Sequence, residues 1–360
     1  MDFGRSDEQV LLQQSVGGYL EKNGGLERAR QFADGGETRA DDVWAGLSDI
    51  GIPALLIPED HDGLGLTFLD AALVAETLGA HVTPAPFVST VVMAPLAITL
   101  AGSDAQRSTW LPKLADGSVI AGTAITETIG ARQGAGVKWD GSALNGNALF
   151  VLDFEADLYL VADDQRNLYL VEANAQGLDR TLLTTVDKTR PVGELVFSNV
   201  AADPLPNGSG ADVCGRIIDA GRIILAADTL GAAQNMLNQA VEYSMVREQF
   251  GRVIGSFQAV KHMCAEMAAG LEPCRSMMWY AAHAFEALPE ESSLTACHTK
   301  AHVSEVAKFV AKTSTEVHGG MGFTDELGLH YWFKRIEFNR QLLGGPDKVR
   351  EEAAALQGLA

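Results

Sequence analysis

The 360-residue chain is short of positive charge: 27 Lys and Arg stand against 47 Asp and Glu, a net charge of −20. A field of that sign repels nucleic acid and anionic membrane surfaces, which excludes both as general partners. A small anionic ligand remains possible where arginine is placed locally. Cysteine is also scarce. Cys214, Cys264, Cys274 and Cys297 show no CxxC spacing and no histidine pair at metal-ligand intervals, which points to reduced thiols and a cytoplasmic setting. No apolar run approaches the roughly 20 residues that cross a bilayer. The opening MDFGRSDEQ is acidic and polar where a signal peptide is basic and then apolar. His298 and His302 lie four apart but lack an HExxH glutamate and a third ligand, so they read as a surface or packed pair, not a metal site. There is no internal repeat and no low-complexity tract.

What remains is a globular composition, 47% apolar with 12 prolines, long enough for two or three domains. Residues 1–118 read as helical. Ser6 before Asp7, Glu8 and Gln9 is an N-cap signature, and Val43, Trp44, Leu47 and Ile50 recur at helical spacing before Gly51. Near Gly117 the period shortens to alternation. Residues 119–210 read as an antiparallel β domain, with Asp140-Gly141 and Asn145-Gly146 as hairpin turns and DDQRN joining two further strands. From 211 to 360 the helical period returns over residues 216–246, 256–287, 293–318 and 325–340, a four-helix bundle. The Glu290-Glu291 pair after Pro289 reads as a loop and as N-terminal charge for the third of these, not as a general acid dyad. The fold class is therefore α+β: a helical domain, an antiparallel β domain, then a helical bundle.

One stretch of the bundle stands out, Tyr243–His262, reading YSMVREQFGRVIGSFQAVKH. It reads as a helix that breaks at Gly251 and resumes after Gly255. Arg247 and Phe250, three apart, would share a helix face, with Gln258 opening the next helix. A guanidinium, an aromatic ring and an amide at one junction suit a flat anionic ligand such as a nucleotide, or else form a helix corner with a capping arginine.

Four segments, in this order, resemble the acyl-CoA dehydrogenase family. They are IGIPALLIPEDHDGLGLTFLDAALVAETLG, AITE, REQFGRVIGSFQAVKH and HGGMGFTDELGLHYWFKR. The resemblance runs along nearly the whole chain. It implies FAD as cofactor and an acyl-CoA substrate, whose α-proton goes to a carboxylate while the β-hydrogen leaves as hydride. It implies that Arg247, Phe250, Gln258, Gly319 and Gly320 hold a flavin nucleotide across a subunit interface. Glu316 stands where glutamine is usual in that contact, and Thr126 in the β-domain loop against the flavin. Arg222 matches a substrate-side arginine.

The chain departs from the family where the base should be. One base position precedes Arg222 and is here Gly221. The other falls on Leu343 or Gly344 in LLGGPDKVR. Neither is acidic, and the nearest carboxylates in sequence are Asp219 and Asp347. The loop Thr128-Ile129-Gly130-Ala131-Arg132-Gln133 lacks the family's Ser-Asp pair. Residues that serve a chain's own site are lost, and those that serve a neighbour are kept. The resemblance thus implies a subunit resembling the base-lacking chain of heteromeric bacterial acyl-CoA dehydrogenases. Such a chain pairs with a second dehydrogenase-like chain on a bulky acyl-CoA such as a steroid side chain, with an acceptor such as electron-transfer flavoprotein. The alternatives are a self-sufficient homotetramer with a relocated carboxylate, Asp219 being the substitute, and a non-catalytic acyl-CoA-binding or scaffold chain.

Overall fold

The computed structural model describes residues 4–130, 134–207 and 210–359. Ala131, Arg132 and Gln133, part of the altered loop, lie outside the described residues. The N-terminal part is helical: α1 (Asp7–Asn23), α2 (Leu26–Gly35), α3 (Asp41–Asp49), α4 (Phe68–Ala80), α5 (Ala94–Ala101) and α6 (Asp104–Ala115). The caps explain the starts. Ser6, Thr67 and Ser103 each close a capping box with the third residue of their helix, satisfying amides that a helix end leaves orphaned. Ahead of α5 the turn widens into a buried π-helix, Val88–Met93, which the sequence reading missed. Its Ser89 amide donates to Asp153 Oδ2 at 2.7 Å, and its Thr90 hydroxyl donates to the Ala121 carbonyl at 3.1 Å, so this segment anchors the β domain.

That domain holds β1 (Ala121–Ala124), a short α7 (Glu127–Gly130), β2 (Gly136–Trp139), β3 (Leu144–Leu152), β4 (Leu158–Ala162), β5 (Leu168–Glu172), β6 (Leu178–Leu182), β7 (Val192–Val200) and β8 (Asp203–Pro204). Among the described residues the sheet order is β6-β7-β3-β1-β4-β5-β8, with β2 on β3. Two expectations are corrected. β1 and β4 pair in parallel, Ala121 opposite Leu158 through Ala124 opposite Val161; both strands are wholly buried and carry no alternation. Asn145-Gly146 is no turn. It lies inside β3, where Gly146 at φ +115° marks a register shift against β7.

The C-terminal part is built on α8 (Gly210–Val246), a 37-residue helix packed against α4, α9 (Gln258–Ala287) and α10 (Pro289–His318). A side chain at Gly231 would overlap the Glu76 carbonyl oxygen, and one at Gly79 the Asp228 carbonyl oxygen, so α4 and α8 cross backbone against backbone. Glu290 and Glu291 fall in the first turn of α10, where they are the N-terminal charge expected of them, and the segment is helix from Pro289 and not loop. Then come α11 (Leu329–Gln341) and α12 (Pro346–Leu356). The expected four-helix bundle thus gains a fifth helix. Its start was legible as Gly345, Pro346 and Asp347, a glycine N-cap followed by proline and an acid in the first turn.

The junction after α8 is also corrected. Arg247 and Phe250 share no helix face, because α8 ends at Val246 and the chain turns through a two-residue hairpin, β9 (Glu248–Gln249) and β10 (Arg252–Val253). Phe250 at φ +55° and Gly251 at φ +76° form the tip, both left-handed as a type I′ turn requires.

Candidate functional site

Two separate places on α8 carry the residues singled out by sequence. At its C-terminal end, the Arg247 guanidinium makes no hydrogen bond or ion pair with any described residue, and Phe250 is 92% exposed on its strained hairpin tip. Tyr243, one turn before Arg247, packs against His318 with ring centroids 4.6 Å apart, so the ends of α8 and α10 meet. His318 leads into Gly319 and Gly320. Gly319 sits at φ +59°, ψ −136°, a region reserved for glycine. Gly320 is different: a side chain there would meet nothing within 4 Å, so nothing inside the chain demands glycine. Gln258 is exposed at the start of α9 and contacts His262 at 2.9 Å. Glu316 is exposed and lies 3.8 Å from Lys312, directed to solvent.

The second place is near the middle of α8. Here a cleft of about 480 Å³ is lined by Ile129, Asp219, Arg222, Ser293, Cys297 and Glu352 among others. Arg222, 3% exposed, is occupied by the chain's own groups. Its Nε donates to the Leu343 carbonyl at 2.9 Å, and Asp219 Oδ1 lies 3.7 Å from Nη1. Glu352 Oε2 lies 2.7 Å from Nη2, an ion pair without good hydrogen-bond alignment. Asp219, 5% exposed, accepts from Ser293 Oγ at 2.6 Å, and burial pushes its carboxyl above the usual range. Thr126 lies just after β1, its hydroxyl 3.4 Å from the Phe150 carbonyl. Asp347 is exposed in the first turn of α12, 3.5 Å from Arg350.

The two positions where a base was sought come together in space. A side chain at Gly221 would overlap Leu343 Cδ1 and lie 2.9 Å from Met93 Sδ. Leu343 is 1% exposed and stands at φ +55°. Gly344, at φ +99°, would direct a side chain toward Arg222 and Ile129, at 3.3 and 3.4 Å. Sequence separation hid this meeting, and Met93 in its apolar run gave no signal. Among the described residues no group of three or more His, Cys, Asp or Glu is placed to hold a metal ion. Nor is any helix long and apolar enough to cross a membrane.

A buried lysine steadies this region. Lys300, 1% exposed on α10, donates to the carbonyls of Asn339 and Arg340 at the end of α11. Burial, then the charges of Arg222 and Arg340, push its ammonium from 10.5 down to about 7. Between those values the unfolded chain holds a proton that the native chain releases. This group's contribution to stability is therefore complete above the unfolded value and lost as pH falls toward about 7. We expect the parent melting temperature to rise relative to that of Lys300→Met as pH climbs through this window. Parallel curves from thermal melts would place the proton release elsewhere.

The sequence matches the acyl-CoA dehydrogenase N-terminal domain over residues 6–118 and the acyl-CoA dehydrogenase C-terminal domain over residues 208–357. It is 30% identical over 344 residues to acyl-CoA dehydrogenase IpdE2 of Mycobacterium tuberculosis, covering 95% of each chain. A solved structure described as the Tcur3481-Tcur3483 steroid ACAD G363A variant superposes with a TM-score of 0.89 at 27% identity, over 98% of both chains. The ChsE4-ChsE5 complex from Mycobacterium tuberculosis superposes with a TM-score of 0.92 at 24% identity over the whole of both chains, a likeness of fold. The chain belongs to the acyl-CoA dehydrogenase family, whose members are FAD-dependent oxidoreductases.

Proposed function

We propose that this chain is a subunit of an FAD-dependent acyl-CoA dehydrogenase, lending flavin-binding groups to a partner chain that carries the catalytic base. The reading rests above all on distance. Arg222 and Val246 lie 24 residues apart on one helix, about 36 Å along its axis. The grip beyond Val246 and the cleft beside Arg222 are too far apart to close on one dinucleotide within a single chain.

The grip fits the nucleotide. Arg247 offers an unpaired guanidinium to a pyrophosphate, Phe250 an exposed ring to a base, and Gly320 open backbone that a Cβ would obstruct. The same end leaves Met245, Val246 and Phe323 exposed, an apolar surface for a neighbouring chain. FAD, when bound, supplies the acceptor for the substrate's β-hydrogen. The chain's own Arg247, Phe250 and Gly320 would hold the nucleotide, and Thr126, just after β1, would be its flavin-side residue as the family resemblance implies. No carboxylate stands at Gly221, Leu343 or Gly344 to take the α-proton. The two-chain names of the steroid ACAD and the ChsE4-ChsE5 complex support a mixed assembly acting on a bulky acyl-CoA. An electron-transfer flavoprotein is the acceptor this reading calls for.

One observation favours the self-sufficient alternative: Asp219 is a buried carboxyl, raised by its surroundings, in a cleft. Against it, Ser293 and Arg222 already engage its oxygens, and it lies two residues, about 200°, around α8 from Gly221. Purification of the chain alone and with a co-expressed dehydrogenase-like partner separates the readings. We expect visible flavin absorbance and acyl-CoA dehydrogenation only in the mixed preparation. Stoichiometric flavin and turnover by this chain alone, abolished by Asp219→Asn, would establish the alternative.

A further inference from the structure

Gly221 lies deep inside α8, where glycine costs about 1 kcal/mol relative to alanine and where no positive φ calls for it. Leu343 lies in a left-handed conformation that a branched aliphatic residue seldom adopts. Two buried basic side chains hold the turn that carries it: Arg222 on the Leu343 carbonyl, and Lys300 on those of Asn339 and Arg340 just before it. Each choice is unfavourable by itself. All three converge on one contact, the Leu343 δ-methyl seated where a Cβ of residue 221 would be, with Met93 closing the third side. Met93 is delivered there by the buried π-helix Val88–Met93, a further departure from regular geometry. Local rules broken together at one contact mark a position selected for something other than packing.

We infer that Leu343 is a specificity-determining seal, matched to Gly221, that closes this chain's own space to the acyl group of a thioester while leaving the adjoining cleft open. The inference rests on the reading that this chain does not itself carry the base. The cleft runs along the Gly215–Ile218–Arg222 face of α8. Gly221 is turned about 100° from Arg222, toward Met93 and Leu343. A ligand in the cleft meets Asp219, Arg222 and Glu352 beside Ile129, Ile218 and Leu356, and an acyl tail directed past Gly221 finds that space filled by Leu343 and Met93. Leu342 and Leu343 are both buried, and Gly344 and Gly345 follow, so the turn is built to present one leucine side chain inward and then reverse.

The test uses the full chain without added flavin, so that it is independent of turnover. Binding of free CoA and of octanoyl-CoA is measured by calorimetry on the parent and on Leu343→Gly. We expect the parent to bind the two alike and Leu343→Gly to favour octanoyl-CoA by roughly tenfold or more, as buried methylene groups would give. A parent that already favours octanoyl-CoA, or a Leu343→Gly variant that gains no preference, overturns the seal. A thermal double-mutant cycle guards against a variant that folds poorly. Gly221→Ala should lower the melting temperature of the parent and raise that of Leu343→Gly, because the added methyl clashes in one background and fills a void in the other. Additive shifts overturn the matched pair. If the partner experiment fails while binding and the cycle behave as expected, the shared-flavin reading falls and the seal stands.

Discussion

Arg335→Leu is expected to destabilise the native chain by about 3–5 kcal/mol, the usual penalty for stripping one partner from a buried ion pair. Arg335 is 1% exposed, and its guanidinium is used in full. It pairs with Asp187 at 2.7 Å and with Asp228 at 3.2 Å, and donates to the Thr189 hydroxyl at 2.6 Å. Arg190 meets the same Asp228 oxygen at 3.1 Å, and Asn339 donates to the other at 2.6 Å. Two buried cations thus face the carboxylates of Asp187 and Asp228, with the buried Asp153 carboxyl also within their influence. Removing Arg335 leaves Asp187, Asp228 and the buried Asp153 carboxyl facing Arg190 as the remaining cation among the residues named here. The groups come from the β6–β7 connection, α8 and α11, so the cluster joins the β domain to two helices that follow it in sequence. A fall in the urea midpoint together with earlier unfolding of the β domain checks the prediction. Arg335→Lys should recover only part of the loss, since a point charge cannot replace three directed N–H groups. A leucine variant as stable as the parent would mean that desolvation cancels the pairing, as happens in some buried ion networks.

Arg247→Ala is expected to lower flavin affinity of the assembled complex by roughly ten- to hundredfold, the range for losing hydrogen bonds to a charged group. The chain's own melting temperature should barely move. Arg247 is exposed and its guanidinium makes no hydrogen bond or ion pair with any described residue, so its removal breaks no polar contact inside the fold. That contrast between a large ligand effect and a small fold effect is the signature of a lent residue. Flavin released on gel filtration, with unchanged circular dichroism and thermal melt, is the expected result. Flavin retained at full stoichiometry would return Tyr243–His262 to a plain helix junction. Salt should weaken binding in the parent more than in Arg247→Ala, because the arginine supplies a charge–charge contact that ions screen.

The residues of this grip were legible in the sequence, and their geometry was not. Arg247, Phe250 and the diglycine could be named from the chain alone. Only the folded chain shows that Phe250 rides on a type I′ hairpin in place of a helix face. The driving pattern there is two residues at positive φ, one of them aromatic, where sequence preference leads one to expect Asn-Gly. Likewise the start of α1 could be read from Ser6 and Gln9, because a capping box is a local matter of side chain and amide. The π-helix at Val88–Met93 could not be read. Its apolar residues suit an α-helix equally well, and the wider turn is fixed by bonds to Asp153 and Ala121 in another domain.

The sequence by itself determined the family, the order of helical, β and helical parts, and the absence of a carboxylate at Gly221, Leu343 and Gly344, where the family resemblance led one to look for a base. Those are matters of residue identity and local period. Tertiary structure alone decided that the two positions are one place. Gly221 and Leu343 lie 122 residues apart, and nothing local to either predicts contact. They meet because Arg222 on α8 holds the Leu343 carbonyl after α11, while Lys300 on α10 holds the end of α11 itself. Long-range packing thus makes two positions without an acid, far apart in sequence, into a single filled space.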